Sequence, residues 1–105
     1  MRQPITGSER IAAERRRQQE QEGWNSEHDA GHGLGVLTRA AIRYAMQDVP
    51  GPDWETASLE IEAMWPWSKT WLKPSEDPIR NLEKAGALIA AEIDRILAEG
   101  REVAE

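Results

Sequence analysis

The chain has 105 residues, 39% hydrophobic and 30% charged, a size and balance that predict one small folded domain with a thin core. Its formal net charge of −6 argues against duplex nucleic acid as the main partner, because phosphate backbones are bound by basic surfaces. Cysteine is absent and no apolar run could cross a membrane, which excludes a disulfide framework, a cysteine-ligated zinc site and a membrane partner.

The first predicted element is a polar helix. Residues 1–7 form a flexible lead, Ser8 is a suitable N-cap, and the helix formers at 9–22 end before Gly23. Because these residues carry no sustained apolar stripe, the helix is either solvated or packed through its Arg and Gln side chains. The arginine run at 15–17 is interpreted as a solvated or intersubunit face, with phosphate contact as the alternative.

A polar, glycine-rich segment follows at 24–35. Two histidines four residues apart can, with a carboxylate, approximate a metal site, but no further His or Cys completes the ligand set. Helix capping and polar contacts are the favoured interpretation, a ligand contact is the alternative, and a metal site is the weakest of the three. The candidate ligand-binding residues in this segment are Trp24, His28, Asp29 and His32.

A second helix is predicted from Leu34 to about Gln47. Its apolar residues step by three and four, which places on one face Leu34, Leu37, Ala41 and Tyr44. Arg39 and Arg43 are predicted to point away from that face. Pro50 ends the element.

The segment 53–64 fits a short helix capped by Asp53, although its alternation also suits a strand, and we favour the helix. Residues 65–74 cannot be helical throughout, because Pro66 and Pro74 restrict the residues before them. We predict an ordered loop with one turn. Tryptophans crowd this loop in a chain that has five Trp and no Phe, and they either close the core or bind a ligand: Trp65, Trp67 and Trp71.

The last helix has the clearest boundaries, since Asp77 is a suitable cap and Pro78 occupies the first helical position. A stripe at three-four spacing predicts its packed face: Ile79, Leu82, Gly86, Ile89, Ile93 and Ile96. Glycine at Gly86 predicts close approach of another backbone or a ligand. The tail at 101–105 should fray.

Catalytic patterns are weak. Glu92 and Asp94 are two residues apart and should diverge on a solvated face of the last helix. An all-α pyrophosphohydrolase needs paired carboxylates on facing helices, and the only matching spacing, Glu99 with Glu102, lies at the frayed end. We therefore predict no enzyme activity and no cofactor.

Cations bracket the tryptophan loop and the start of the last helix: Lys69, Lys73, Arg80 and Lys84. A helix N-terminus favours anions, and indole faces stack on planar bases. Tryptophan together with Lys and Arg is the combination that a nucleotide needs.

Residues 10–97 carry a set of motifs that resembles a family of short proteins of phages and prophages. The matching motifs are Glu22-Gly23-Trp24, Glu27-His28-Asp29, His32, Ala40-Ala41 with Tyr44, Trp65-Pro66-Trp67, Trp71-Leu72-Lys73-Pro74, and Arg80 through Lys84-Ala85-Gly86-Ala87-Leu88-Ile89 into Ala91-Glu92-Ile93-Asp94-Arg95. Residues 18–29 also resemble the ryanodine-receptor repeat domain, although the Trp-to-Asp spacing is shorter here and that domain's proline-containing continuation is missing.

A phage origin implies a function in the cytoplasm of an infected host. Small oligomeric phage proteins with aromatic, basic pockets are similar to sponges that sequester nucleotide immune signals, so we expect binding, without cleavage, of a cyclic nucleotide or an ADP-ribose derivative. Base stacking is expected from Trp24, Trp65, Trp67 or Trp71, with phosphate contacts from Lys73, Arg80 and Lys84, hydrogen bonds from His28, Asp29 and His32, and a further contact from Tyr44. The alternatives are a host-protein interaction through the tryptophan loop and, more remotely, a nucleotide hydrolase.

Together these elements predict an all-α fold. The single domain 1–105 should be a small bundle of three main helices with an ordered Trp- and Pro-rich loop. Because the core is thin, we expect oligomerisation to complete it, as a homo-oligomer with its pocket between subunits.

Overall fold

The computed structural model describes residues 6–22, 33–50 and 54–100, with side chains from residue 59 onward in the last range. In these ranges the chain forms four helices and one short 3-10 turn, with no strand, so the prediction of an all-α fold is confirmed. The elements are α1 (Gly7–Gln21), α2 (Val36–Ala45), α3 (Trp54–Met64), the 3-10 turn (Lys69–Trp71) and α4 (Pro78–Ala98). None of the described helices is long and apolar enough to span a membrane.

Helix α4 is the central element of the fold. Both α1 and α2 pack against it, whereas α3 packs only against α2 within the described ranges. The segment 53–64 is thus helical, as favoured over a strand, from Trp54 onward. This arrangement gives α4 two different interfaces, one with α2 and one with α1.

The interface between α2 and α4 is the apolar core. It consists of Leu37, Ala40, Ala41 and Tyr44 from α2 and Ala85, Leu88 and Ala91 from α4. Alanines on both helices let the two backbones come close, and Leu37 and Leu88 fill the space between them. The prediction that Leu37, Ala41 and Tyr44 share the buried face of α2 is confirmed.

Two details of the α2 prediction are wrong. Leu34 is exposed, because the helix begins only at Val36, after Gly35 adopts a positive φ of 86°. Arg43 does not point to solvent: its guanidinium is buried, 2.7 Å from Glu62 on α3 and 2.6 Å from the amide oxygen of Gln47. Its partners, which lie outside the periodic pattern of α2, explain its burial.

The interface between α1 and α4 is polar. Glu14, Arg15 and Gln18 are buried on α1, which confirms that this helix packs through polar side chains instead of being solvated. Arg15 reaches Asp94 at 3.3 Å, so the expectation that the whole arginine run forms a solvated or intersubunit face is wrong for Arg15. Arg10 pairs with Glu83, also at 3.3 Å.

An apolar contact also lies within this interface. The Ile11 side chain fills the notch left by Gly86, where an added Cβ would lie 2.6 Å from Ile11 Cδ1 and 2.7 Å from its Cγ1. The close approach at Gly86 is therefore made by a side chain of α1, whereas the sequence predicted another backbone or a ligand.

The start of α4 is as predicted, and the start of α1 is not. Asp77 Oδ1 accepts a hydrogen bond from the Ile79 amide at 2.9 Å, with Pro78 at the first helical position. In α1 the cap is Thr6 instead of Ser8: Thr6 Oγ1 accepts from the Glu9 amide at 3.2 Å and donates to the Glu9 carboxylate at 2.9 Å. The helix consequently begins at Gly7.

The predicted packed face of α4 is wrong. Ile79, Leu82, Ile89 and Ile93 are 48 to 55% exposed, while the buried residues are Asn81, Ala85, Ala87, Leu88, Ala91, Glu92 and Arg95. The close approach of α2 requires alanine on the facing side of α4, so the small side chains are buried in place of the large ones. An apolar stripe exists on α4, but the described part of the chain leaves it about half exposed.

Burial of polar groups on α4 also corrects the expectation that Glu92 is solvated. The Glu92 carboxylate accepts from Arg95 at 3.0 Å and 2.7 Å, and both side chains are buried. Asp94, by contrast, is half exposed, as predicted.

Asn81 joins three parts of the chain at the start of α4. Its Oδ1 accepts from the Ser75 amide at 2.7 Å, and its Nδ2 donates at 2.9 Å both to Ser75 O and to the Asp48 carboxylate just after α2. The side chain is 1% exposed. Asn81 thus fixes the end of the tryptophan loop against α2 and α4.

Candidate ligand-binding cleft

The segment 65–74 is an ordered loop with one turn, as predicted, and two of its tryptophans pack on the core. The Trp65 ring meets Tyr44 edge-on with centroids 5.6 Å apart, and Trp67 meets Trp65 edge-on at 5.2 Å. Trp65 Nε1 donates to Ser68 O at 2.9 Å, which satisfies the indole N–H. Trp65 and Trp67 are therefore partly buried against the core.

Trp71 is placed differently. It lies on the 3-10 turn, whose first residue follows the Ser68 cap, and it is 70% exposed. A large aromatic ring held in solvent on an ordered turn offers its face to a binding partner.

Trp71 lines a cleft of about 400 Å³ between α1, the end of α2, the tryptophan loop and α4. The loop side, α2 and α4 contribute Tyr44, Trp71, Lys73 and Lys84. The opposite wall, on α1, is formed by Glu14, Arg17, Gln18 and Glu22. The cleft is thus an aromatic and cationic surface facing a polar helix.

The Tyr44 hydroxyl anchors the floor of the cleft to the loop. Its oxygen accepts a hydrogen bond from the Lys73 amide at 3.0 Å, and burial raises the pKa of the phenol. Tyr44 therefore stays protonated at neutral pH and retains an O–H donor.

Lys84 is held against the floor of the cleft. Its Nζ donates to Lys73 O at 2.6 Å and lies 5.4 Å from the centroid of the Tyr44 ring. Burial lowers the pKa of Lys84, and the positive charge of Arg80 lowers it further. An anion placed beside this ammonium would relieve both effects.

The acidic side chains of the α1 wall are neutralised by arginines. Glu14 is buried and accepts from Arg17 at 2.8 Å and 3.0 Å, and it lies 2.7 Å from Arg80. Burial alone would raise the pKa of Glu14, but its bonds to Arg17 and Arg80 outweigh burial and lower that pKa. Arg17 also pairs with Glu22 at 3.1 Å.

The electrostatic balance of the cleft is positive. Its lining holds three cations, Arg17, Lys73 and Lys84, against the two carboxylates on α1. Both carboxylates are paired with arginine, whereas the Lys73 ammonium makes no ion pair within the described ranges. No group of three metal-ligating side chains lies together in the part of the chain that the structure describes.

Four predicted site residues come together in this cleft: Tyr44, Trp71, Lys73 and Lys84. Arg80 lies next to it, bonded to Glu14 and Glu83. Trp65 and Trp67 stand against the core beside Tyr44. The remaining four fall outside the described residues: Trp24, His28, Asp29 and His32.

The α1 wall was not predicted from the sequence, although a signal for it exists. Glu14, Arg17, Gln18 and Glu22 follow one another at spacings of three, one and four, so they share a face of the helix. Because α1 has no apolar stripe, any face that it packs against the rest of the domain has to be polar. Those two observations together identify this wall.

Comparison with known proteins gives no match. No protein-family model, no curated protein and no solved structure is significantly similar to the chain. Function is therefore inferred from the geometry of the cleft.

Proposed function

We propose that this chain binds a nucleotide-derived ligand in the cleft and retains it without cleaving it. In this proposal it is a phage-encoded counter-defence protein that withholds an immune signal, a cyclic nucleotide or an ADP-ribose derivative, from a host effector. The observation that supports it most directly is the convergence of Tyr44, Trp71, Lys73 and Lys84 on one cleft.

The aromatic side of the cleft suits a base. Trp71 is exposed on an ordered turn, so little conformational freedom is lost when a planar ring stacks on it. Stacking of a base on an aromatic side chain contributes roughly 1–3 kcal/mol. Tyr44 offers a hydroxyl proton on the same surface.

The cationic side suits phosphate. Lys84 has one hydrogen bond to a backbone carbonyl and two further N–H donors, and its charge is disfavoured by burial and by Arg80. Lys73, with no ion pair in the described ranges, lies on the same side. A phosphate between the two ammonium groups would gain charge-assisted hydrogen bonds.

The dimensions of the cleft agree with such a ligand. Its volume of about 400 Å³ falls within the range of small-molecule pockets, roughly 300–1,000 Å³. The cleft is small for a protein segment with bulky side chains. The resemblance to short phage proteins supplies the biological setting of this proposal.

A second function is favoured by the same exposed indole. Trp71 is also suited to anchor a host protein, because tryptophan is enriched among the residues that dominate binding energy at interfaces. In that case Trp71 would be essential, while Lys73 and Lys84 inside the cleft would matter little.

The experiment is a retention assay. The purified protein is incubated with a panel of cyclic dinucleotides and ADP-ribose derivatives, free ligand is removed, the protein is denatured, and the released compounds are analysed by mass spectrometry. Release of an intact panel member is the expected result. Release of an altered nucleotide would indicate a hydrolase, and retention of nothing would contradict the proposal.

Matched variants place the site. Trp71→Ala and Lys73→Gln should abolish retention, whereas Lys69→Gln, which removes a lysine from the same turn but outside the cleft lining, should not. Trp71 is a sharper test than Trp67, since Trp67→Ala also removes core packing. Retention by both cleft variants would show that the ligand binds elsewhere.

The pH dependence of binding tests Lys84 directly. An anion stabilises the protonated ammonium, so affinity should be constant below the lowered pKa of free Lys84 and fall as pH rises through it. In Lys84→Met the remaining affinity should lack this alkaline decrease. Calorimetric titration of the retained nucleotide over a pH series measures both, and equal profiles would exclude Lys84 from the phosphate site.

A further inference from the structure

Within the described residues, the apolar stripe of α4 has no partner. Ile79, Leu82, Ile89, Ile93 and Leu97 are each about half exposed, and Ile96 is partly buried beside them. The spacing of Ile79, Leu82, Gly86, Ile89, Ile93 and Ile96 is that of a heptad seam over almost the full helix. A seam of this kind is built to pack against another helix.

We propose that a second copy of the chain covers this stripe, with the two α4 helices antiparallel. This inference does not depend on the proposed function. A second copy is a suitable partner because the stripe is complementary to itself, both in the size of its side chains and in its charges.

The layers match when one α4 is reversed against the other. With the twofold axis between Gly86 and Ile89, Ile79 meets Ile96 of the second copy and Leu82 meets its Ile93. Ile89 of each copy lies beside the axis in the central layer, where the notch at Gly86 is already filled by Ile11 of the same chain. Every layer therefore contains at least one large aliphatic side chain, and the pairing is symmetric.

The charges along the stripe favour the same orientation. A parallel pair would place Glu83 beside Glu83 and the half-exposed Asp94 beside Asp94. An antiparallel pair separates the like charges and brings Arg10, at one end of the stripe, toward the acidic end marked by Asp94 and Glu99. It also aligns the helix dipoles favourably.

The area is sufficient for a specific pair. Half-exposed Ile and Leu side chains along five positions leave on the order of 400 Å² of apolar surface on each chain. Two stripes together contribute about 800 Å² of apolar area, and the polar residues that flank them bring the interface toward the lower end of the range for specific interfaces, roughly 1,200 Å². We therefore expect a reversible dimer.

The dimer surface and the cleft lie on different faces of α4. Lys84, which lines the cleft, is two residues from both Leu82 and Gly86 and so projects from the opposite side of the helix. Each copy thus keeps a cleft of its own, in place of the pocket between subunits expected from the sequence. Failure of the dimer proposal would leave the ligand proposal intact, and the reverse also holds.

The test is the molar mass of the full chain in solution. Light scattering after size exclusion, over a dilution series, should give a dimer that dissociates on dilution. Ile93→Glu places two charges in the interface and should raise the dissociation constant by roughly 100-fold. Because Ile93 is half exposed in the single chain, this variant should stay folded by circular dichroism.

Leu59→Glu is the control, since Leu59 is 75% exposed and lies on α3, away from the stripe. It should dimerise as the unmodified chain does. A monomer at all concentrations, or a dimer unaffected by Ile93→Glu, would overturn the proposal. A monomer that loses thermal stability on Ile93→Glu would indicate instead that another segment of the same chain covers the stripe.

Disulfide trapping tests the orientation, because the chain has no native cysteine. Mixing Ile79→Cys with Ile96→Cys should give the mixed disulfide on mild oxidation, while Ile79→Cys alone should not form one. Efficient trapping of Ile79→Cys with itself would show a parallel pair and overturn the antiparallel arrangement.

Discussion

Helix α4 makes two interfaces of opposite character. Its contact with α2 is almost entirely apolar and contains Leu37 and Leu88. Its contact with α1, by contrast, includes the Glu14–Arg80, Arg15–Asp94 and Arg10–Glu83 pairs and the Ile11 side chain at Gly86. Apolar burial is insensitive to pH and non-directional, while ion pairs require both partners in fixed geometry. Apolar packing of α2 therefore stabilises α4, whereas ion pairs position α1, and some of the same charged side chains on α1 also line the cleft.

The largest effect is expected from a cavity in the apolar interface. Leu88→Ala removes a side chain that is 1% exposed and should lower the free energy of unfolding by about 3 kcal/mol. Urea unfolding monitored by tryptophan fluorescence measures the loss. Leu59→Ala, at an exposed position of α3, should change stability by less than about 0.5 kcal/mol. Equal losses in the two variants would mean that the α2 contact is not the core.

The next effect comes from the buried carboxylate of the polar interface. Glu14→Gln removes the buried carboxylate shared by Arg17 and Arg80, which keep only their more exposed partners Glu22 and Glu83. The free energy of unfolding should fall by about 2 kcal/mol at neutral pH, less than for fully buried arginines. Glu20→Gln, on the exposed side of α1, is the control.

The pH dependence of that loss sharpens the test. Because the pKa of Glu14 is lowered in the folded chain, its contribution is complete above the ordinary glutamate pKa and disappears as pH falls through the lowered value. The difference between Glu14→Gln and the unmodified chain should therefore shrink in acid. A difference that stays constant down to acidic pH would show that Glu14 is not an ionised partner of these arginines.

A smaller effect, with a change of sign, is expected at the notch. Gly86→Ala should gain up to about 1 kcal/mol from its higher helix propensity, but its methyl group would push against Ile11. The net result should be a decrease in the free energy of unfolding on the order of 1 kcal/mol. In an Ile11→Ala background the same change should become stabilising. A double-mutant cycle by thermal unfolding measures the coupling, and additive effects would exclude the Ile11 contact.

The smallest effect belongs to the surface pair at the edge of the polar interface. Arg10 is 44% exposed, so Arg10→Gln should lower the free energy of unfolding by at most about 0.5 kcal/mol, and less at high salt. Chemical unfolding at two ionic strengths measures it. A large, salt-independent loss would show that the pair is more than a surface contact.

Local signals in the sequence predicted the fold well. Asp77 and Pro78 mark the start of α4, and the spacing of Leu37, Ala41 and Tyr44 predicts the buried face of α2, because caps and periodicity depend only on neighbouring residues. The class of fold follows from those elements.

The choice of buried face on α4 could not be predicted in this way. A stripe of Ile and Leu is the stronger apolar pattern, but the domain buries the alanines and satisfies Asn81 and Arg95 with hydrogen bonds to distant partners. Such pairing is invisible until the other elements are placed. For the same reason only one side of the cleft was predicted. The loop side carries aromatic and basic residues that are typical of ligand sites, whereas the α1 wall depends on the contact between Arg80 and Glu14, which are far apart in the sequence.

Asn81 has a consequence for how this fold can vary. One side chain holds Asp48, where the chain leaves α2, next to Ser75, where it arrives at α4. The chain between those points, which includes α3 and the tryptophan turn, is therefore a long connection whose two ends are held together by the side-chain amide of Asn81. Lengthening such a closed loop adds little loop-closure entropy and does not require α2 to move on α4. The fold can thus accept longer loops at this position while its scaffold stays the same.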